Sequence, residues 1–300
     1  MGSRKPISQQ VIVVTGASSG IGLATAQSAA RQGAKVVFAA RSGHVLCDIV
    51  ERLNARGSDC MAVVADVGDR LQVERIVLGA LERFGRIDTW VNNAGVSIYG
   101  RLEEVSEEDS RRLFDTNFWG VVHGSLAVLP CLKSGGGTLI NVGSEVSDAV
   151  IPLQGMYSAS KHAVKGFNDA LRVELEVEKS SVSVVLVQPT AVNTPFPHHA
   201  RNYMDHEPKL PDPMIDAEKV AEAILDAAVH PRRYIKVGAM SRINTAVAKI
   251  APSLADKMSA REASRQHLEE KPRCPKGTLY SPSEESCSGQ FKSRSPGSRT

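Results

Sequence analysis

Between Val11 and about Val237 the chain alternates short, strongly apolar runs with longer stretches whose apolar residues recur at helical spacing. The runs Val11–Thr15, Lys35–Ala40, Cys60–Asp66, Asp88–Asn92, Thr138–Val142, Ser183–Gln188 and Arg233–Val237 have the length and β-branched content of strands. VIVVT and VSVVLV are nearly continuously apolar, as expected of strands covered on both faces. Between the runs, segments such as Ile21–Gln32, Asp69–Phe84, Glu107–Leu129 and Met156–Glu178 read as helices. Alternation repeated this often predicts an α/β fold of the Rossmann type: a doubly wound, seven-stranded parallel sheet flanked by helices. Ligands of such sheets lie beyond the carboxyl ends of the strands, where the strand order reverses.

The pattern divides the chain into an N-terminal arm (1–9), a nucleotide-binding type of domain (10–240), a C-terminal helical extension (241–268) and a tail (269–300). The tail is dense in Pro, Ser, Gly, Lys and Arg, poor in aliphatic residues, and expected to be disordered. A Pro- and His-rich stretch at 194–216 interrupts the alternation and is expected to cover a substrate, with an inert surface excursion as the alternative. In the extension, Ile243, Val247, Ile250, Leu254 and Met258 fall at helical spacing. Packing on the body or on a partner subunit is the first reading of that stripe and contact with a membrane surface the second.

Composition narrows the class. Hydrophobic residues make up 42% and charged residues 23%, a globular balance. The net charge of +3 comes from residues 261–300, with eight Lys/Arg against five Asp/Glu, so the body is neutral and offers no electrostatic case for nucleic acid. Five cysteines without a C-x-x-C pair suit reduced thiols in a cytoplasmic setting. The first ten residues lack the apolar run of a signal peptide, and no stretch is apolar over about 18 residues, so no membrane span is expected. The pair His198-His199 lacks a third ligand at metal-binding spacing, and no metal is expected.

The first strand runs into Thr15-Gly16-Ala17-Ser18-Ser19-Gly20-Ile21-Gly22 and then a helix. Glycines let the chain turn tightly and bring backbone N–H groups against a pyrophosphate, to which the helix N-terminus adds partial positive charge. The second strand ends without an acid, and Arg41 stands just beyond it. An acid there would accept from free ribose hydroxyls, whereas a guanidinium can pair with a 2′-phosphate, so NADP is favoured over NAD; a solvated surface arginine is the competing account. Asp66 and Val67 offer a carboxylate and an amide for the adenine edge, unless Asp66 is simply a solvated strand end. Asn93, Ala94 and Gly95 follow the fourth strand and would bring backbone close to the cofactor again.

Tyr157 and Lys161 stand four apart at the start of a helix and project from one face. A phenol transfers protons poorly at neutral pH, and a nearby ammonium is expected to lower its pKa towards the working range. Taken alone, this spacing is equally that of an exposed amphipathic face. Ser144, just past the fifth strand, could hydrogen-bond a substrate carbonyl, and Asn117 is a polar amide amid apolar residues that needs a reason to be buried. A structural amide is the alternative for Asn117.

Together, TGASSGIG, Asp66-Val67, NNAG at 92–95, Asn117, Ser144 and YSASK resemble the short-chain dehydrogenase/reductase family, over about residues 10–237. The resemblance implies Asn117, Ser144, Tyr157 and Lys161 as catalytic residues: Tyr157 the general acid in reduction, Lys161 anchoring the nicotinamide ribose, Ser144 orienting the carbonyl, and Asn117 holding a water. It implies cofactor contacts from Pro189, Val192 and Thr194, and assembly as a homodimer or homotetramer. Thr190 stands where the family commonly has glycine after the proline. The function expected is NADP(H)-dependent interconversion of a ketone or aldehyde with an alcohol on a small molecule. A non-catalytic NADP-binding regulatory protein is the alternative, and a nucleotide-sugar epimerase or dehydratase is disfavoured by the short chain after Val237.

Overall fold

The structure is a computed structural model and describes residues 4–282. The outer parts of the expected arm and tail, including Cys287, lie outside the described residues. Seven strands, β1 (Val11–Thr15), β2 (Lys35–Ala40), β3 (Asp59–Val64), β4 (Thr89–Asn92), β5 (Thr138–Val142), β6 (Ser183–Pro189) and β7 (Tyr234–Val237), form one sheet in the order β7-β6-β5-β4-β1-β2-β3. Every pairing in it is parallel. The order reverses between β1 and β4, which opens a crevice above their carboxyl ends.

Side-chain alternation explains why the strands are apolar throughout. In β1, Ile12 and Val14 join a core with helix α1 (Gly20–Arg31) and α8 (Ala217–Val229), while Val13 joins the opposite core with α3 (Arg70–Phe84) and α5 (Gly120–Gly135). Each face is covered by helix, so neither parity of side chain meets water.

Within this apolar interior runs a ladder of buried amides. Asn92 Nδ2 donates to Asn141 Oδ1 at 2.9 Å, and Asn141 Nδ2 donates to Asn168 Oδ1 at 3.2 Å. Trp90 Nε1 donates to Asn92 Oδ1 at 2.7 Å. The ladder ties β4 and β5 to helix α6 (Gly155–Val177). Buried amides are costly unless bonded; these bond one another, and among the described residues the Asn168 Nδ2 at the end of the ladder finds no partner.

Four local features differ from the sequence-based expectation. The third strand ends at Val64, leaving Asp66 and Val67 in the loop beyond it. The helix expected over 107–129 is α4 (Glu107–Phe114), a π-helical turn at Asp115–Trp119, and then α5. The stretch at 194–216, expected to cover a substrate, borders the cleft through Thr194, Phe196, His199 and Leu210 and is pinned to the body. It contains a single helical turn, α7 (Phe196–His199), while Arg201–Asn202 pairs with Ile98–Tyr99 and Ile215–Asp216 with Val192–Asn193. Finally, the tail is not structureless up to Pro282: Leu279 is fully buried. The extension forms α9 (Ala239–Ile250) and α10 (Pro252–Glu262). Its apolar stripe splits, with Ile243, Ile250 and Leu254 exposed and Val247 and Met258 lining a small cavity.

Candidate active site

The loop after β1 bends through Gly16 at φ +67°, where a Cβ would lie 2.7 Å from the Ala94 Cα. A Cβ on Gly22 would stand 2.2 Å from the Gly16 carbonyl oxygen. Both positions therefore require glycine if loop and helix are to close this tightly. Asn93 Nδ2 donates to the Thr15 carbonyl at 3.0 Å and braces the loop from the end of β4. Ser19 caps α1 without a side-chain hydrogen bond, so the first-turn N–H groups face the cleft. This is a cradle shaped for a pyrophosphate.

One cleft, with a cavity volume of about 230 Å³, runs from this loop across the sheet edge. All the expected site residues line it except Gly22, which packs beneath the loop, and Asn117. Asn117 is fully buried in the π-helical turn. Its Oδ1 accepts from the Val96 N–H at 2.8 Å, and its Nδ2 donates to the Val96 carbonyl at 2.9 Å and to Ser160 Oγ at 3.1 Å. The widened turn lets this side chain reach back and satisfy both backbone groups of a residue in the NNAG loop. Both Asn117 amide N–H groups are used in these bonds.

At the far end, β5 and α6 bring the expected acid/base residues together. Ser144 begins a short helical turn, with its hydroxyl close enough to the Tyr157 phenol to influence its titration. Lys161 is buried, donates from Nζ to the Val142 carbonyl at 2.9 Å, and lies 5.7 Å from the centre of the Tyr157 ring. Burial pulls the Lys161 pKa down to about 8. Enclosure by protein pushes the Tyr157 phenol up, the Ser144 hydroxyl acts in the opposite sense, and the nearby Glu145 charge raises it further. The expected lowering by Lys161 is not among the causes of this shift, and desolvation of the phenolate is the largest effect in this enclosed cleft.

Glu145 is the residue that sequence reasoning missed. It follows Ser144 at the strand end and lines both the main cleft and an adjoining cavity of about 130 Å³, bounded by Val146, Val150, Met240, Val247 and Met258. Its carboxylate accepts from Thr190 Oγ1 at 3.2 Å and from Asn244 Nδ2 at 3.0 Å, and burial raises its pKa. Thr190, the departure from the family's usual glycine, holds this carboxylate. The signal available in the sequence was an acid directly after the strand-end serine, on the side where ligands bind.

At the adenosine end, Arg41 is largely enclosed. Its pKa is lowered by burial, raised by Asp66 and lowered by Arg112. Asp66 accepts from the Gly68 N–H at 2.9 Å and pairs with Arg112, so a second guanidinium stands in this corner. His198 pairs with Glu207, and among the described residues no cluster of three or more His, Cys, Asp or Glu is placed to hold a metal. No helix among the described residues is long and apolar enough to cross a membrane.

The model of short chain dehydrogenases matches residues 10–204. An uncharacterized oxidoreductase of Bacillus subtilis, YxnA, is 43% identical over 275 residues, covering 91% of this chain and 77% of its own length. Among solved structures, a Burkholderia phymatum short-chain dehydrogenase/reductase in complex with NAD superposes with a TM-score of 0.75 at 28% identity, covering 85% of this chain and 96% of that one. A Burkholderia cenocepacia short chain dehydrogenase in complex with NADP gives 0.71 at 26% identity, over 85% and 99% of the two chains. The motif order, the parallel sheet and these likenesses agree: the chain belongs to the short-chain dehydrogenase/reductase family of oxidoreductases.

Proposed function

We propose that this protein is an NADP(H)-dependent oxidoreductase that reduces a ketone or aldehyde, or oxidises a secondary alcohol. The observation that carries this reading is the meeting of Ser144, Tyr157 and Lys161 in the same cleft as the glycine loop. Gly16, Ser18, Ser19, Gly20 and Ile21 would hold the pyrophosphate, with Gly22 allowing the close helix approach. Arg41 would take the 2′-phosphate, Asp66 and Val67 the adenine, and Asn93, Ala94 and Gly95 the middle of the dinucleotide. Lys161, Pro189, Val192 and Thr194 would hold the nicotinamide end. The nicotinamide, when bound, supplies or receives the hydride at the substrate carbon.

The chain's own groups handle the oxygen. Ser144 donates a hydrogen bond to the substrate carbonyl and polarises it. Tyr157 gives its phenolic proton to that oxygen as negative charge develops there. A raised phenol pKa keeps the proton in place at neutral pH, which suits reduction; oxidation needs the phenolate and is favoured at alkaline pH. Lys161, charged below about pH 8, stabilises the phenolate left after transfer. The adjoining apolar cavity fits a carbonyl carrying an apolar substituent. Free cysteines among the described residues and the NADP preference suit a cytoplasmic enzyme, and a homodimer or homotetramer is the assembly we expect.

The test is Tyr157→Phe, assayed with NADPH against a panel of ketones and aldehydes. Turnover should fall about a thousandfold or more, as expected when a general acid is removed. NADPH affinity should change little. A variant that turns over near the native rate would overturn the assignment.

A further inference from the structure

The segment 274–282, to which the sequence assigned no role, is built into the rim of the cofactor cleft. Leu279 is fully buried in a cluster with Val96, Ile98 and Leu113. Gly277 turns the chain at φ +54°, and a Cβ there would stand 2.3 Å from the Ala200 carbonyl oxygen. Thr278 donates from its N–H to the His199 carbonyl at 2.8 Å, the Asn202 N–H donates to the Pro275 carbonyl at 2.8 Å, and Tyr280 Oη donates to Asp109 at 2.8 Å. Thr278 and Pro282 reach the wall of the cleft itself.

Three of the segment's contacts fall on the two arginines at the adenosine end. Arg41 donates from Nη1 to the Leu279 carbonyl at 3.2 Å and from Nη2 to the Thr278 carbonyl. Arg112 donates from Nε to the same Leu279 carbonyl at 3.1 Å and pairs with Asp66. We propose that this C-terminal segment is a strap that positions Arg41, through the Thr278 and Leu279 carbonyls, for recognition of a ribose 2′-phosphate. This rests on the reading above that Arg41 takes that phosphate.

A guanidinium carries five N–H groups in a fixed plane. Two are held by neutral carbonyls, which fix its orientation without cancelling its charge, and among the described residues three remain for a phosphate. An arginine on a loop otherwise samples many rotamers, and holding one in place before binding lowers the ordering cost of association. The buried Leu279 side chain supplies the anchor, so recognition of the phosphate depends on packing some 238 positions away in sequence from Arg41. Because the same segment bonds His199 and Asn202, it also ties the adenosine corner to the substrate-side stretch.

The test measures, by calorimetry on the full chain, the affinities for adenosine 2′,5′-bisphosphate and adenosine 5′-monophosphate. Leu279→Asn removes the anchor without adding charge, and Gly277→Ala dislodges the turn by a separate route should the first variant fold poorly. Each should weaken the bisphosphate about tenfold, as for loss of one oriented charge-assisted contact, and leave the monophosphate within about twofold. Leu279→Met should retain native affinity for both. In Arg41→Ala the bisphosphate preference should be lost, and adding Leu279→Asn should cost nothing more. No bisphosphate loss in Arg41→Ala would overturn the phosphate reading and the strap's role with it. A loss there with native affinity in both strap variants, an equal loss of both ligands, or tighter bisphosphate binding would overturn the strap proposal alone.

Discussion

At the nicotinamide end of the cleft, the charged group is Lys161, buried on a long helix and bonded to the carbonyl of Val142, the last residue of β5. At the adenosine end it is Arg41, just past a strand end and held by carbonyls from the far C-terminal segment. The first arrangement is made almost entirely within β5 and α6, elements the core already fixes. The second is assembled from pieces distant in sequence. The groups proposed to act at the reacting atom are placed by core packing, whereas Arg41, proposed to select between two similar cofactors, is placed by a peripheral and separable contact.

If that contrast holds, substitutions at the two ends should fail differently. The largest effect belongs to Lys161→Met. Turnover should drop about a hundredfold or more, since the ammonium beside the phenol is gone. The same change should raise folding stability at pH 7 by about 1–2 kcal/mol, because a buried ammonium is removed. The sign follows from the pKa: held at about 8, below the ordinary lysine value, Lys161 is costly when protonated. That cost, and so the gain in the variant, should fade as pH rises through about 8 towards 10.5, which denaturant unfolding at several pH values would reveal. Unchanged turnover, or a gain that persists at high pH, would break the contrast.

Next in size, Arg41→Asp should shift the NADP/NAD preference by about fiftyfold through kcat/KM for the cofactor, with little change in turnover at saturation. A fall in saturated turnover instead would mean that the two ends are not separable. The smallest effect is expected from Glu145→Gln. Its negative charge raises the Tyr157 pKa, so its removal should move the alkaline rise of alcohol oxidation to lower pH, by about half a unit for one partly screened charge. An unshifted profile would show that the Glu145 charge does not reach the phenol.

The same contrast governs what could be read from the sequence. Strand positions and the phosphate loop were legible because apolar runs and glycine spacing are local signals. Ser144, Tyr157 and Lys161 were legible for the same reason, lying close together along the chain. Three features were not. The π-helical turn at Asp115–Trp119 leaves the apolar periodicity nearly unchanged, although it aims Asn117 at Val96. The pKa balance at Tyr157 depends on enclosure, which no spacing records. The segment around Leu279 has too few aliphatic residues to announce a fold, and a single leucine with a handful of backbone contacts to distant residues is enough to seat it.

The amide ladder from Asn92 through Asn141 to Asn168 sets a limit on how this enzyme could change. Asn168 lies about three turns along α6 from Tyr157, on the same rigid rod. Were that rod to slide by one residue against the sheet, the rungs would part and leave amides stranded in an apolar interior. New substrates would therefore be accommodated by reshaping the walls opposite the phenol, in the stretch after β6 and in the C-terminal helices, while the Tyr157 phenol keeps its address.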